Sequence, residues 1–351
     1  MKNVLLIFGI AAITIWGCTQ APQKSSDKMS ADAAKFTGLL DRAKTTFNPL
    51  PATADNPDNP ITPEKVLLGQ TLYFENRMSK DGHISCNSCH NLNTYGVDNQ
   101  STSPGDGGIR GDRNSPTVLN AAFHFAQFWD GRAKDVEEQA GGPILNPIEM
   151  SMPDQEFVIN RLREIKGYQV LFAAAFPGEE QPINYGNIQK AIAAFERKLI
   201  TPSRFDEYLA GNENALTEKE KQGLQTFMDV GCTACHSGAI LGGTMYQKFG
   251  LAGNYWDFTK STKVDNGRYL VTKNDADKFL FKVPSLRNIE KTHPFFHDGS
   301  ITDLNEAVKI IAKLQLNKDL TDQEVRDIVT FLKTLTGTVP KDLAAPPQLP
   351  V

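Results

Sequence analysis

The chain has 351 residues, of which 40% are hydrophobic and 22% are charged, and its formal net charge is −4. This composition is that of an ordinary globular protein and excludes disordered and collagen-like chains. The sequence contains no basic block, so we do not expect nucleic acid as a partner. The length predicts two domains.

The first residues predict an export signal. Lys2 precedes an apolar run that is too short to span a bilayer. The run ends in IWGC, which resembles the lipobox of bacterial lipoproteins, so we expect 1–17 to be a signal peptide and Cys18 to carry a lipid anchor. The alternative, an incidental cysteine after a plain signal peptide, would leave an odd thiol in an exported protein. We expect 18–47 to be a tether and N-terminal extension, and the protein to be periplasmic and anchored to a membrane.

Two Cys-x-x-Cys-His units use four of the five cysteines. They are ISCNSCHNL, with Cys86, Cys89 and His90, and VGCTACHSG, with Cys232, Cys235 and His236. This pattern is the attachment site of c-type haem, in which both thiols bond to the haem and the His binds its iron. A disulfide framework needs no His after each pair, a thioredoxin-like pair needs a βαβ context, and a Cys₄ zinc site leaves both His unexplained. The sequence therefore predicts two covalent haems, with His90 and His236 as iron ligands.

The segments before the two units resemble each other and predict a duplication. TPEKVLLGQTLYF begins at Thr62 and TEKEKQGLQTF begins at Thr217, and each Thr is placed as a helix N-cap before apolar residues at helical spacing. Thr321 opens a third such helix, for which Gly337 is the expected C-terminal stop. A helix of this kind closes a small cytochrome c domain over its haem.

Helical patterns also fill the region between the units, whereas strand signals are scarce. We predict a mostly α-helical protein with two cytochrome c-like domains, each carrying one covalent haem, packed around a shared interface. The N-terminal haem domain is expected at 48–201 and the C-terminal haem domain at 202–337. Residues 338–351 are expected to be a tail.

Longer runs accompany the two haem units. They are NSPTVLNAAFHFAQFWDGRAKDVEEQAGGPILNPIEM, VPSLRNI and FFHDGS. From about Asn48 to Gly337 these runs and the haem units resemble, in one collinear order, the bacterial di-haem cytochrome c peroxidases. The resemblance implies that the first haem is peroxidatic and the second transfers electrons. It also implies reduction of hydrogen peroxide to water with electrons from a small periplasmic donor cytochrome or cupredoxin. Whether two chains form a homodimer stays open.

The resemblance implies roles for single residues. Glu149 matches the family's acid–base carboxylate, Gln139 its partner amide, and Trp129 the aromatic residue between the haems. Taken without the resemblance, a lone Glu is more often a solvated surface residue and a lone Trp more often packs in a core.

The resemblance also implies a calcium ion. Its ligands would be the Asn114 side chain and the backbone carbonyls of Thr292 and Pro294. Oxygen ligands with few carboxylates suit Ca²⁺. Without the resemblance, Asn114 would be interpreted as a turn residue before Ser-Pro.

The family pattern is broken at two ligand positions. Asp106 stands where many members have a removable His on the peroxidatic iron, so we expect that haem to be open in the oxidised protein. His83 and His124 are expected to be structural. Ile311 stands where the family has a Met on the second iron, so we expect a lower reduction potential there.

An empty or water-bound sixth position is our first expectation for that second haem. Lys309, Lys313 and Met245 are the substitutes that the sequence offers. A related enzyme of the MauG type, which oxidises residues of a partner protein, is the second alternative. The missing Met favours it, whereas the absence of a Tyr at Ile311, where that enzyme has its ligand, weakens it. A di-haem electron carrier is the third alternative and would need both irons closed.

Overall fold

The computed structural model describes residue 1 and residues 36–351. The chain divides into two units, Met1–Thr37 and Gly38–Val351, and the fold below is that of the second. The predicted signal peptide and Cys18 lie outside the described residues. Among the residues that are described, no helix combines the length and the apolar character needed to cross a bilayer.

Residues 38–351 are mostly α-helical, as predicted. The α-helices, in chain order, are α1 (Leu39–Thr46), α2 (Pro63–Tyr73), α3 (Cys86–Cys89), α4 (Val136–Leu145), α5 (Gln155–Arg163), α6 (Lys166–Ala175), α7 (Tyr185–Glu196), α8 (Arg204–Leu209), α9 (Glu218–Val230), α10 (Tyr255–Thr259), α11 (Tyr269–Thr272), α12 (Leu304–Leu316), α13 (Asp322–Leu332) and α14 (Lys341–Ala344). Two short strands, β1 (Tyr246–Lys248) and β2 (Leu280–Lys282), pair antiparallel, with Tyr246 opposite Lys282.

The three predicted helix starts are confirmed. Thr62 caps α2 and accepts a hydrogen bond from the backbone N–H three residues on (3.2 Å). Thr217 with Glu220 and Thr321 with Glu324 form complete capping boxes at α9 and α13. These contacts satisfy N–H groups that have no partner inside the helix.

Each half of the protein contains the same close helix crossing. A Cβ at Gly69 of α2 would lie 1.9 Å from the carbonyl oxygen of Ala191 in α7. A Cβ at Gly223 of α9 would lie 2.1 Å from the carbonyl oxygen of Asp327 in α13. Only glycine lets the backbones approach this closely. The duplication seen before the haem units therefore extends to the closing helices.

Aromatic pairs repeat beside these crossings. Tyr73 and Phe195 have ring centroids 5.2 Å apart between α2 and α7. Phe227 and Phe331 have centroids 5.3 Å apart between α9 and α13. The helix α7, which the sequence pattern left without a specific role, thus closes the first half as α13 closes the second.

The predicted helix stop at Gly337 is wrong. Helix α13 ends at Leu332, and the 3₁₀ turn Lys333–Leu335 follows. Gly337 is instead required by packing, because a Cβ there would lie 2.2 Å from the Thr201 carbonyl oxygen. Its N–H donates to Asn288 Oδ1 (2.9 Å).

Candidate active site

The first Cys-x-x-Cys-His unit consists of α3 and the histidine directly after it. Ser85 and Ser88 form a capping box that fixes the start of α3. The Tyr73 hydroxyl donates to the His90 carbonyl oxygen (2.5 Å), so α2 holds this turn in place. Burial lowers the pKa of His90 and keeps its imidazole neutral, which is the form that binds iron.

The second unit begins where α9 ends. Gly231 ends α9 in the left-handed conformation (φ 102°), and the 3₁₀ turn Cys232–Ala234 follows at once. His236 Nδ1 lies 2.9 Å from the Leu241 carbonyl oxygen, so Nδ1 carries the hydrogen and Nε2 is the metal-binding nitrogen. Burial also lowers the pKa of His236.

Both units fit a c-type haem better than a redox pair or a bare metal ion. Burial raises the pKa of the Cys89 thiol to about 11 and that of Cys232 to about 12, whereas reactive pairs and zinc sites require thiolates. Across residues 36–351, no group of three or more His, Cys, Asp or Glu could hold a metal ion. Two thiols and one neutral imidazole are the donor set of a covalently attached haem.

A cavity of about 1330 Å³ lies beside the first unit. Drug-sized ligands occupy pockets of roughly 300–1,000 Å³, so this cavity has room for a haem and a small substrate. Its lining contains both thiols and the imidazole of the first unit together with Glu149, Gln139 and Trp129. The structure thus brings the three residues of predicted function to one cavity.

Glu149 lies in the turn between α4 and α5. Its N–H donates to the Asn146 carbonyl oxygen (3.0 Å), and Asn146 Nδ2 donates to Glu149 Oε1 (2.8 Å), which leaves Oε2 for another partner. Burial raises the pKa of Glu149, while the charge of Arg132 and the bond from Asn146 oppose the rise. The carboxylate is therefore a better proton acceptor than that of an ordinary glutamate.

Gln139 and Trp129 reach the cavity from α4 and from the loop before it. Asp135 caps α4 by accepting a hydrogen bond from a first-turn N–H (2.8 Å), which fixes the turn that carries Gln139. Trp129 Nε1 donates to the Asn114 carbonyl oxygen (2.9 Å). The indole packs edge-on to the His297 ring, with centroids 6.4 Å apart.

Sequence comparison decides the family. A family model described as di-haem cytochrome c peroxidase matches residues 63–214, and one described as cytochrome c matches residues 221–336. The cytochrome c551 peroxidase of Pseudomonas aeruginosa is 44% identical over 310 residues, which cover 88% of this chain and 89% of that protein. The chain belongs to the di-haem cytochrome c peroxidase family.

Two further proteins resemble this member of the peroxidase family. The methylamine utilization protein MauG of Methylorubrum extorquens is 33% identical over 352 residues, covering 97% of this chain and 94% of that protein. A solved structure of a MauG-like protein associated with microbial copper homeostasis has a TM-score of 0.73 at 30% identity, covering 85% of this chain and 95% of its own. These comparisons confirm the predicted fold of two cytochrome c-like domains.

Asp106, the first departure from the peroxidase family pattern, is not among the residues that line the cavity. It is 5% exposed. Its Oδ2 accepts from the Asp81 N–H (2.7 Å), and its own N–H donates to the Glu149 carbonyl oxygen (2.6 Å). A Cβ at Gly105 would lie 1.8 Å from the Ile148 carbonyl oxygen. These contacts fix Asp106 on the Glu149 turn.

Ile311, the second departure, lies on α12 and packs partly buried against an aromatic cluster. The two lysines of the same helix point to other partners. Lys309 Nζ lies 2.7 Å from the Asp322 carboxylate, and Lys313 Nζ lies 2.6 Å from that of Asp319. Both amines are therefore engaged by carboxylates in the structure.

The three residues predicted to bind calcium lie in two segments that meet. The Asn114 N–H donates to the His297 carbonyl oxygen (2.7 Å), which ties Asn114 to the chain three residues after Pro294. Asn114 Nδ2 donates to the Gln100 carbonyl oxygen (2.9 Å), so its amide oxygen is the atom left for a cation. Calcium binding itself stays a prediction.

The cavity also contains residues that the sequence analysis did not assign. Glu196, at the end of α7, is 6% exposed, and burial raises its pKa to about 8. It follows Ile188 and Ile192 at successive intervals of four residues, which puts it on the buried face of α7, and this signal was present in the sequence. Arg132 and the pair of Lys282 with His124 also line the cavity, and no sequence pattern pointed to a chemical role for them.

Proposed function

We propose that this protein is a periplasmic di-haem peroxidase that reduces hydrogen peroxide to water with electrons from a small donor cytochrome or cupredoxin. The observation that carries the proposal is the single cavity that holds His90, Gln139 and the Glu149 carboxyl with its raised pKa. The Pseudomonas aeruginosa relative, named cytochrome c551 peroxidase, supports the same substrate and class of donor.

Glu149 moves the proton that peroxide cleavage requires. When bound, the two haems supply an iron for peroxide and the centres that pass electrons to it. Glu149 Oε2, which Asn146 leaves free, takes the proton from one peroxide oxygen and returns it to the other, which departs as water. Gln139 offers an amide donor and an amide acceptor, with which it orients the peroxide.

Trp129 provides the route for electrons between the two halves. Its indole lines the cavity of the first haem unit and also packs against the aromatic cluster around α12. The hydrogen bond from Nε1 to the Asn114 carbonyl oxygen keeps the ring in this position. Two electrons from the donor and two protons from solvent convert one peroxide into two waters.

A MauG-like oxidase of a partner protein is the second candidate, and the missing methionine at Ile311 together with the 33% identity to MauG favours it. A di-haem electron carrier is the third, and it would leave Glu149 and Gln139 without a function.

Steady-state assays of the haem-loaded protein with a reduced small cytochrome c separate the three. We expect donor oxidation that depends on peroxide, with two donor equivalents used per peroxide. A carrier would oxidise the donor without consuming peroxide, and a MauG-like oxidase would modify a partner protein while using little donor. Either result would overturn the proposal.

The proposed domain division is 48–201 and 202–337, with a lipid anchor at Cys18. The family models, which match 63–214 and 221–336, support a boundary between the two haem units. The mass of the mature protein purified from membranes tests the anchor, because acylation adds a mass that no signal-peptide cleavage explains.

The proposed calcium site is supported by the hydrogen bond from the Asn114 N–H to the carbonyl oxygen of His297, three residues after Pro294. Asn114→Ala should reduce the calcium content of protein purified in calcium-containing buffer, as metal analysis would show. Equal calcium in the variant and the wild type would contradict this site.

A further inference from the structure

A buried lysine and a histidine form a pair on the cavity wall. Lys282 ends β2 and is 5% exposed. Its Nζ lies 2.5 Å from His124 Nδ1, and both residues line the cavity that contains Glu149. At such a contact one nitrogen donates a hydrogen and the other accepts it. From the sequence we expect His124 to be structural, and this contact gives it a chemical partner.

The pair can hold one positive charge or none. A charged ammonium that donates to a neutral imidazole carries one charge, and repulsion excludes a second charge at this distance. Burial lowers the pKa of Lys282 to about 7. Burial and the Lys282 charge together lower the pKa of His124 well below its usual range. The proton therefore resides on Lys282 and exchanges near neutral pH.

The charged groups around the pair leave Lys282 without a counter-ion of its own. Asp130 is the acidic group that favours the charged lysine, but its carboxylate is already paired with Arg113 (2.6 Å) and Arg132 (3.1 Å). The other titratable or charged groups on the surrounding elements and the cavity wall include the acids Asp112, Glu149, Glu196, Asp265, Asp298 and Glu306, the bases His90, Lys260, Lys263, Arg268 and His297, and Tyr246. A negative charge added to the cavity would thus stabilise the charged form of Lys282.

The backbone of Lys282 is hydrogen-bonded to Trp129, the residue on the proposed electron route. The backbone N–H of Lys282 donates to the Trp129 carbonyl oxygen (2.8 Å), and the Trp129 indole lines the same cavity. The negative charge of an electron that reaches this cavity raises the affinity of Lys282 for a proton. By linkage, the proton raises the affinity of the cavity for the electron by the same factor.

We propose that Lys282 and His124 form a redox-linked proton site, which takes one proton from solvent when an electron reaches the cavity and releases it when the electron passes to peroxide. One donor electron and one proton enter together, and two such rounds supply the two electrons and two protons that convert one peroxide into two waters. The proton that Glu149 moves is the peroxide's own. The release step rests on the proposed function, whereas the linkage does not.

Spectroelectrochemical titration of the holoprotein without peroxide, from about pH 6 to about pH 9, tests the linkage. We expect the potential of one haem to fall as the pH rises through about 7, where Lys282 loses its proton. Lys282→Arg keeps a charge at every pH and should hold the potential high without a slope. Lys282→Met has no charge and should hold it low without a slope.

Two further variants locate the proton. His124→Leu removes the hydrogen-bond acceptor of the charged Lys282. The lysine should then lose its proton at lower pH, so the fall of the haem potential should also occur at lower pH. Lys278→Met removes an exposed lysine of the segment before β2 and should leave the titration unchanged. Each variant is used only with two haems per chain by denatured mass spectrometry.

Glu196 lines the same cavity with a pKa of about 8, so Glu196→Gln is the second control. A slope that survives both Lys282 substitutions, or that disappears only in Glu196→Gln, would overturn the proposal. A wild-type potential that does not change with pH would overturn it too. A protein that keeps the Lys282-dependent slope but does not turn over peroxide would support the linkage and contradict only the proposed function.

Discussion

Glu149 owes its raised pKa to the cavity wall and not to its neighbours in the sequence. In NPIEM it has the pattern of an exposed carboxylate. The turn that Asn146 closes places it in the cavity, where desolvation disfavours the charged form. Burial of this kind depends on segments distant in the chain, so only the family resemblance could single out Glu149.

The charge of Arg132 should influence the pH at which kcat/KM falls on the acid side of the profile. Arg132 holds the pKa of Glu149 below what burial alone would give, so Arg132→Gln should raise that pKa further. Glu149 must be ionised to accept a proton, so kcat/KM falls as the pH drops through its pKa. The acid limb should therefore move to higher pH in the variant, most clearly at low salt.

The matched control is Arg326→Gln, which changes an exposed arginine of α13. Profiles of kcat/KM against pH for the three proteins check the prediction. An acid limb that stays in place or moves to lower pH in Arg132→Gln would show that Arg132 does not act on Glu149.

Asp106 should leave the first haem open in the oxidised protein. Oδ2 of its carboxylate accepts from the Asp81 N–H, and the residue is not among those that line the cavity. Electron paramagnetic resonance of the oxidised holoprotein should show a high-spin ferric signal, and cyanide should bind without prior reduction. A wholly low-spin spectrum would mean that another side chain fills the site.

Ile311 should leave the second haem at low potential. A thioether favours the reduced iron, whereas a hydrocarbon side chain binds no iron at all. Ile311→Met should therefore produce a low-spin haem of higher potential. Spectroelectrochemical titration checks this, with Ile310→Met on the same helix as control. A wild-type second haem that already has methionine-like ligation would contradict the assignment of this position.

At the scale of helices, the sequence predicted where elements begin better than how they pack. All three threonine caps were predicted, because a cap is a local pattern of four residues. The role of Gly337 was not predicted, because it arises from contact with Thr201. The pairing of α2 with α7 was missed for the same reason.

The helix crossings should make Gly69 intolerant of a side chain. Gly69→Ala places a methyl group against the Ala191 carbonyl oxygen, and overpacking of this kind typically lowers the free energy of unfolding by about 1–3 kcal/mol. Gly186→Ala, on the exposed side of α7, should instead raise it by up to about 1 kcal/mol. The urea midpoints of the two holoproteins check this. Equal midpoints would contradict the close crossing.

At the scale of the whole molecule, the sequence predicted the fold class, the two haem units and the family. The motif spacing and the collinear runs were sufficient for these, and the comparisons confirm them. The residues of the cavity beyond Glu149, Gln139 and Trp129 were not predictable, because their placement depends on distant segments that meet. Lys282 and His124, for example, are 158 positions apart in the chain.

The most direct test of the account is peroxide turnover by Glu149→Gln. The variant should keep both haems, by denatured mass spectrometry, and its peroxide turnover should fall by the ~10²–10⁴ that general acid–base groups contribute. Glu156→Gln, an exposed glutamate of α5, should match the wild type. Turnover by Glu149→Gln within a few-fold of the wild type would contradict the central claim that this carboxylate carries the proton for peroxide cleavage.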